Sequence, residues 1–141
     1  MILSSLELLS EKPTALAVGS SQAHLIFVVK YRKKLLTSDI AFFIKGKFLQ
    51  IAERSDFDIE LMETDRDHIH LLVDYAPKVS ILQIIRRLKQ ESTYDLWKNY
   101  SSILKKHFWK EKTVWSDGYF VCSIGEGVSY DTIQKYIESQ G

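Results

Sequence analysis

Two histidines separated by one apolar residue form the spacing most suggestive of chemistry in this 141-residue chain. They are His68 and His70, within the segment Asp67-His68-Ile69-His70-Leu71-Leu72-Val73-Asp74. Side chains of a β-strand alternate between its two faces, so both imidazoles would share one face while Ile69 and Leu71 are buried on the other. Two imidazoles held in this way can bind one metal ion. The alternative is a pair of hydrogen-bonded histidines on a half-exposed strand, and the motif alone does not decide between them.

A tyrosine near the C-terminus is the second candidate group. Tyr136 and Gln140 are four residues apart and share one face of a predicted helix. A separate apolar stripe can anchor this helix and consists of Tyr130, Ile133 and Ile137. A phenol has an ordinary pKa of about 10, so attack on a phosphodiester would need a metal that polarises the phosphate. A tyrosine on a terminal helix more often has a packing role, and Gln140 could be a frayed helix end.

An amide oxygen from Gln140 could join the two imidazoles on one metal ion. Such a mixed nitrogen and oxygen set leaves positions open for phosphate and water, and suits Mg²⁺ or Mn²⁺ better than a closed structural zinc site. Three carboxylates near the histidines could fix an imidazole tautomer; they are Asp65, Asp67 and Asp74. A solvated turn is the expected role of the first two. His24 and His107 are interpreted as ordinary polar residues.

Hydrophobic periodicity predicts the elements that must position these groups. The predicted strands are 24–31, 57–62, 68–74 and 119–124, and the predicted helices are 40–51, 80–88 and 129–140. The segments 94–100 and 103–109 are helical or irregular. The order of strands and helices matches the split βαβ arrangement. The expected class is α+β: a ferredoxin/RRM-like antiparallel sheet with two helices on one face, and a C-terminal helix that carries Tyr136.

Length and composition indicate one domain, residues 21–141, preceded by an N-terminal extension, residues 1–20, that Pro13, Gly19 and several serines mark as flexible. A formal net charge of +1 does not by itself indicate nucleic acid. Cys122 is the only cysteine, which excludes a disulfide framework and fits a reducing cytosol. No apolar run is long enough to span a membrane, so a cytoplasmic protein is expected.

Local charge is more informative than net charge, because basic residues fall in the three segments 30–34, 86–89 and 105–112. The candidate DNA contacts among them are Lys30, Arg32, Lys33, Lys34, Arg86, Arg87 and Lys89. Aromatic residues lie within or near these segments, namely Tyr31, Trp97, Trp109, Trp115 and Tyr119. Basic grooves with aromatic platforms hold single-stranded nucleic acids. The alternative is that the aromatic residues belong to the core and that the lysines are merely solvated.

Taken together and in order, four motifs resemble the single-tyrosine HUH transposases of prokaryotic insertion sequences, where U is a bulky apolar residue. The motifs are Lys30-Tyr31-Arg32-Lys33-Lys34, Asp67 to Val73, Trp115-Ser116-Asp117-Gly118-Tyr119-Phe120, and the helix from Ser129 to Gln140. The resemblance covers about residues 22 to 140. The two-histidine motif is short and common, whereas the order and spacing of all four motifs are specific.

The resemblance implies an enzyme that cuts and rejoins single-stranded DNA at insertion-sequence ends marked by hairpins. Tyr136 would attack the phosphate and form a 5′-phosphotyrosine link, while His68, His70 and Gln140 would hold a divalent metal, Mg²⁺ or Mn²⁺. It also implies a homodimer in which the tyrosine helix of one protomer completes the metal site of the other. Because the phosphotyrosine bond conserves the energy of each cut, no ATP would be needed.

Three other interpretations compete with this one. A histidine-triad nucleotide hydrolase would need a third histidine at position 72, where this chain has Leu72. A non-catalytic RRM-like protein would hold single-stranded nucleic acid on sheet aromatics, but its strand motifs are not evident. A transposase relative adapted to a task of its host could keep the same active-site residues, so the sequence does not separate it from a mobile element's enzyme.

Overall fold

An antiparallel sheet organises the described part of the chain, which in this computed structural model comprises residues 21–123 and 130–140. Its strands are β1 (Ser21–Val28), β2 (Phe57–Thr64), β3 (His68–Tyr75) and β4 (Phe120–Ser123). They lie in the order β2-β3-β1-β4, and every neighbouring pair is antiparallel. The predicted α+β class is confirmed, and β2 pairs with β3 as a hairpin. The extension at 1–20 and the residues Gly125, Gly127 and Ser129 lie outside the described residues.

Four α-helices accompany the sheet in the described residues: α1 (Ser38–Glu53), α2 (Ile81–Asn99), α3 (Ser101–His107) and α4 (Tyr130–Ser139). Ser80 caps α2, since its side chain accepts a hydrogen bond from Gln83 N at 3.4 Å. The uncertain segment 94–100 continues α2, and 103–109 overlaps α3. None of these helices is both long enough and apolar enough to cross a membrane.

The first strand ends earlier than its composition predicts. A 3₁₀ turn at Lys30–Arg32 follows β1, and Tyr31 and Arg32 have φ angles of 61° and 53°. These values belong to the left-handed region, which side chains with a Cβ rarely adopt and which no strand can contain. The apolar and aromatic run alone could not reveal this change of direction.

The main core lies between the sheet and helices α1 and α2. Leu25, Phe27, Ile69 and Leu71 point into it and are fully buried. This is the alternation expected of strands with one buried face. In this core Phe27 packs against the edge of Phe48, with ring centroids 6.1 Å apart.

Two of the tryptophans considered as stacking platforms for nucleic acid, Trp97 and Trp115, belong to this core. Trp97 and Trp115 are 8% and 4% exposed. The indole N–H of Trp97 donates to Thr113 O at 3.0 Å, and that of Trp115 donates to Ser92 Oγ at 3.0 Å. For these two residues the alternative, that the aromatic residues belong to the core, is therefore confirmed, because both rings are packed and both donors are satisfied inside the protein.

The second face of the sheet is partly covered by the terminal helix. Ile26 and Val28 point to this face and are nevertheless fully buried, because Ile137 of α4 packs against them. Ile133 and Tyr136 extend the same contact. Helix α4 is thus anchored on β1 by the predicted isoleucine stripe, whereas nothing is described of the Tyr130 side chain.

The contact between Ser92 and Trp115 gives a test of the core. Ser92→Ala removes the acceptor of a buried indole N–H, and an unsatisfied buried donor costs about 1–3 kcal/mol. We expect the free energy of unfolding, measured by urea titration, to fall by about that amount. Thr93→Ala is the matched control, since both hydroxyls also donate to carbonyls of their own helix, Leu88 O and Lys89 O respectively. Equal losses in both variants would contradict the assignment.

Candidate active site

His68 and His70 project from the face of β3 that lies away from the main core. Val28 is the cross-strand partner of His68, and Ile26 is that of His70. Paired residues of antiparallel strands have their side chains on the same face, so the histidines flank the two residues on which α4 packs. Both side chains are half-buried, 21% and 22% exposed. The shared face predicted from the spacing is therefore present, and the terminal helix adjoins it.

A carboxylate and a guanidinium hold His68 in place. His68 Nδ1 lies 2.8 Å from Asp67 Oδ1, and Arg32 Nε donates to Asp67 Oδ2 at 3.3 Å. Burial opposes ionisation of Asp67, but the hydrogen bonds from His68 and Arg32 outweigh it, so the pKa of this carboxyl is lowered. An ionised Asp67 favours the proton on Nδ1 and leaves Nε2 of His68 available to a ligand. The solvated-turn role expected for Asp67 is wrong, because its side chain is only 16% exposed.

His70 contacts a third histidine. Its Nε2 lies 2.8 Å from Nδ1 of His24, and the ring centroids are 4.9 Å apart. Burial, and then the neighbouring His24, lower the pKa of His70, with Glu63 opposing. The ring is therefore neutral at neutral pH, the form that binds metals. His24 is not the ordinary polar residue predicted; the signal that could have identified it is its position on the same face of β1 as Ile26, the partner of His70.

Tyr136 and Gln140 meet at Gly118. A Cβ atom placed on Gly118 would lie 3.5 Å from Tyr136 Oη and 3.5 Å from Gln140 Oε1. The helix spacing predicted that these two side chains share a face, and the structure brings both to one backbone position. The ring of Phe120 packs beside Tyr136, with centroids 5.5 Å apart.

The phenol oxygen of Tyr136 is buried. Neither it nor the nearby Ser116 hydroxyl has a hydrogen-bond partner of ordinary geometry among the described residues. Burial raises the pKa of Tyr136 to about 12, with the Ser116 hydroxyl opposing the shift. The phenol is thus fully protonated at neutral pH, and it would have to lose its proton to act as a nucleophile.

Lys89 reaches inward to the turn that carries Gly118. Its Nζ donates to Ser116 O and to Gly118 O, both at 2.8 Å. Nζ also lies 5.8 Å from the centre of the Phe27 ring. Burial lowers the pKa of Lys89, with Asp117 opposing. Two of its donor protons therefore stabilise the turn against which Tyr136 and Gln140 rest, and its contact with DNA stays a prediction.

Three of the other basic candidates are engaged within the protein, and three are exposed. Arg87 donates to Glu91 Oε2 at 3.1 Å and to the Ser55 hydroxyl, and Lys30 pairs with Glu111 at 3.3 Å. Arg32 is engaged by Asp67. The remaining three are exposed, namely Lys33, Lys34 and Arg86. Lys30 and Lys89 nevertheless approach the same turn, because Lys30 Nζ lies 3.7 Å from Asp117 Oδ1 while Lys89 Nζ donates to Ser116 O and Gly118 O.

The surroundings of His68 suit binding of a divalent ion better than those of His70. A carboxylate behind Nδ1 and a free Nε2 are typical of metal-bound histidine, and His68 has both. At His70 an ion on Nε2 would have to replace the bond to His24. Within residues 21–123 and 130–140, no three His, Cys, Asp or Glu side chains form a metal site of their own. The predicted set therefore depends on the Gln140 amide oxygen.

Sequence comparison relates the chain to transposases. The family described as "Transposase IS200 like" matches residues 17–140. The chain is 33% identical over 117 residues to the ISDra2 transposase TnpA of Deinococcus radiodurans, covering 83% of this chain and 81% of that protein. It is 26% identical over 130 residues to the transposase for insertion sequence element IS200 of Salmonella typhimurium, covering 92% and 83% respectively.

Structural comparison agrees with these sequence matches. A crystal structure assigned as a transposase of Deinococcus radiodurans matches with a TM-score of 0.75 and 28% identity, covering 93% of this chain and 98% of that one. The structure of a REP-associated tyrosine transposase bound to a REP hairpin matches with a TM-score of 0.53 and 14% identity, covering 92% and 69%. At that identity the second match supports the fold alone.

Burial of the Tyr136 phenol predicts that it ionises at an unusually high pH. We expect Tyr136 to ionise near pH 12, because burial disfavours the phenolate. The contribution of the neutral Tyr136 phenol to the free energy of unfolding should be complete below about pH 10, the ordinary pKa of tyrosine. It should be lost as the pH rises through the pKa of the folded state. The measurement is the ultraviolet phenolate difference between the wild type and Tyr136→Phe, with circular dichroism to verify folding. A midpoint at the ordinary value would contradict the burial of Tyr136 in solution.

Proposed function

The chain belongs to the IS200-like transposase family, and we propose that it cleaves and rejoins single-stranded DNA at insertion-sequence ends through a phosphotyrosine intermediate. The observation that carries this proposal is the convergence of Tyr136 Oη and Gln140 Oε1 at Gly118. The helix that bears them packs on Ile26 and Val28, the cross-strand partners of His70 and His68. A nucleophile and candidate metal ligands thus adjoin one face of one sheet.

In the proposed reaction Tyr136 Oη attacks a backbone phosphorus. The new bond joins Oη to phosphorus, the bond from phosphorus to the 3′ oxygen breaks, the phenol loses its proton, and the leaving oxygen gains one. The products are a 5′-phosphotyrosine link and a free 3′-OH. Attack of a 3′-OH on such a link reverses these changes and rejoins a strand. A divalent ion, Mg²⁺ or Mn²⁺, held by His68, His70 and Gln140 would polarise the phosphate and stabilise the leaving oxygen.

Neighbouring side chains would prepare this site. Asp67, itself held by Arg32, orients His68 through the 2.8 Å hydrogen bond. His24 keeps the His70 ring in a defined position. Lys89 supports the turn beside the phenol. These residues would act through others, without touching the reacting atoms.

We propose that the substrate is single-stranded DNA with a hairpin, contacted by the basic candidates of segments 30–34 and 86–89. The REP-associated transposase that shares this fold is bound to a REP hairpin, which is the substrate form proposed here. Exposed Lys33, Lys34 and Arg86 are free to reach phosphates, so affinity should fall with salt as counterions are released. An RRM-like binding role is less well supported, because α4 and histidines, rather than exposed aromatics, occupy the second face of the sheet.

We also propose a two-fold homodimer with shared active sites. In a single chain α4 rests on its own sheet through a small apolar cluster centred on Ile137. The same contacts can form between chains if the helices exchange, since an exchanged element keeps its interface. Each site would then combine His68 and His70 of one protomer with Tyr136 of the partner subunit.

Covalent capture tests the nucleophile. With Mg²⁺ and a labelled single-stranded oligonucleotide from the flanks of its own gene, the protein should form an adduct that survives a denaturing gel. Tyr136→Phe removes one oxygen and keeps the ring, so DNA binding should persist while the adduct is lost. His68→Ala should also abolish cleavage and keep the fold, because the buried face of β3 is unchanged. An adduct formed by Tyr136→Phe would refute the assignment.

Complementation tests the shared site. Neither His68→Ala nor Tyr136→Phe should cleave alone, but a mixture under subunit exchange should regain activity. In the mixed dimer one shared site is wild type at both positions, and the other lacks both. If each site is built within one chain, every site keeps a defect and the mixture stays inactive. Sedimentation as a monomer under active conditions would also exclude the dimer.

A further inference from the structure

Two exposed aromatic rings line one cavity at the end of β1. This cavity has a volume of about 260 Å³ and lies between the turn at Lys30–Arg32 and the segment 107–113. Tyr31 and Trp109 are 60% and 76% exposed and both line it. Trp115, by contrast, is buried in the core. Rings left in contact with solvent at one site point to a ligand with a flat apolar face.

The backbone is specially shaped to present one of these rings. Tyr31 and Arg32 both have left-handed φ angles, a strained conformation for residues with a Cβ. The turn is held by hydrogen bonds from Val29 N to Asp67 O, from Lys30 N to Val114 O and from Arg32 N to Val29 O, each 2.8 Å. As a result Arg32 reaches Asp67 and Tyr31 lines the cavity.

The surroundings of the cavity favour an anion. Lys33 and Lys110 line it, and Lys110 Nζ lies 5.0 Å from the centre of the Trp109 ring. The acidic lining residue, Glu111, is paired with Lys30 at 3.3 Å. In the same wall the pKa of His107 is lowered, first by burial and then by the neighbouring charges of Lys33 and Lys106. A ligand with both a flat base and a phosphate matches these features.

We propose that the Tyr31–Trp109 cavity binds one unpaired nucleotide of single-stranded DNA. Its base would stack on Tyr31 or Trp109, and its flanking phosphates would pair with Lys33 and Lys110, as in single-strand binding by aromatic and basic side chains. The inference rests on the proposed function for its substrate class. It adds a contact outside the group formed by His68, His70 and Tyr136. Through Arg32 and Asp67, the turn that presents Tyr31 also holds His68.

Photocrosslinking and affinity together test this subsite. The probe is a short oligothymidine with one 5-iododeoxyuridine, mixed with the full chain without divalent metal so that no cleavage chemistry contributes. We expect crosslinked peptides to contain Tyr31 or Trp109. Loss of one stacking ring in Tyr31→Leu or Trp109→Leu should weaken binding by roughly 5- to 100-fold. Trp109→Phe, which keeps a ring, should lose less.

Phe42→Leu is the matched control, because Phe42 is 81% exposed and lies outside the cavity; its affinity should match that of the wild type. Circular dichroism verifies that each variant is folded. If a variant does not fold, the crosslinking result with the wild-type protein is the deciding test. Wild-type affinity in both leucine variants, or crosslinks confined to other residues, would overturn the subsite. Crosslinks at Tyr31 or Trp109, together with no Tyr136 adduct in the separate covalent-capture assay with Mg²⁺, would instead refute the proposed reaction and leave the subsite intact.

Discussion

The antiparallel pairing of β1 with β3 is the constraint on which the site depends. Its register sets Ile26 opposite His70 and Val28 opposite His68. A shift of one residue would turn the histidines into the core, because side chains alternate between faces. The buried residues Leu25, Phe27, Ile69 and Leu71 hold this register, since any slip would expose them. The hydrophobic core therefore determines which face the histidines occupy and which face receives the terminal helix.

Two polar connections refine what the sheet positions. At one end Arg32 and Asp67 hold His68, and the left-handed turn after β1 directs Arg32 toward them. At the other end Lys89 binds the carbonyls of the turn beside Tyr136. Both connections join segments distant in sequence and use partly buried charges, whose hydrogen bonds are stronger than those of neutral groups. They restrain the candidate ligand and the candidate nucleophile separately.

Burial of the Tyr136 oxygen has a consequence for reactivity. Burial raises the pKa of Tyr136 to about 12 while it rests against Gly118, so the phenol has to lose its proton before it can attack a phosphate. Burial thus favours the neutral form of the candidate nucleophile in the folded protein. The same burial depends on the contact of α4 with Ile26 and Val28, so reactivity and docking of the terminal helix are physically linked.

The sequence by itself determined the features that depend on local periodicity. Strand alternation predicted the shared face of His68 and His70, helix spacing predicted that Tyr136 and Gln140 share a face, and the order of elements predicted the α+β class. Only the tertiary structure decided the contacts between distant segments. In the folded protein His24 lies beside His70, and Asp67 contacts His68 instead of solvent. Trp97 and Trp115 are buried in the core. The physical reason is that periodicity orients a side chain relative to its own element, whereas its neighbours depend on strand register and on turns such as Lys30–Arg32, which composition does not encode.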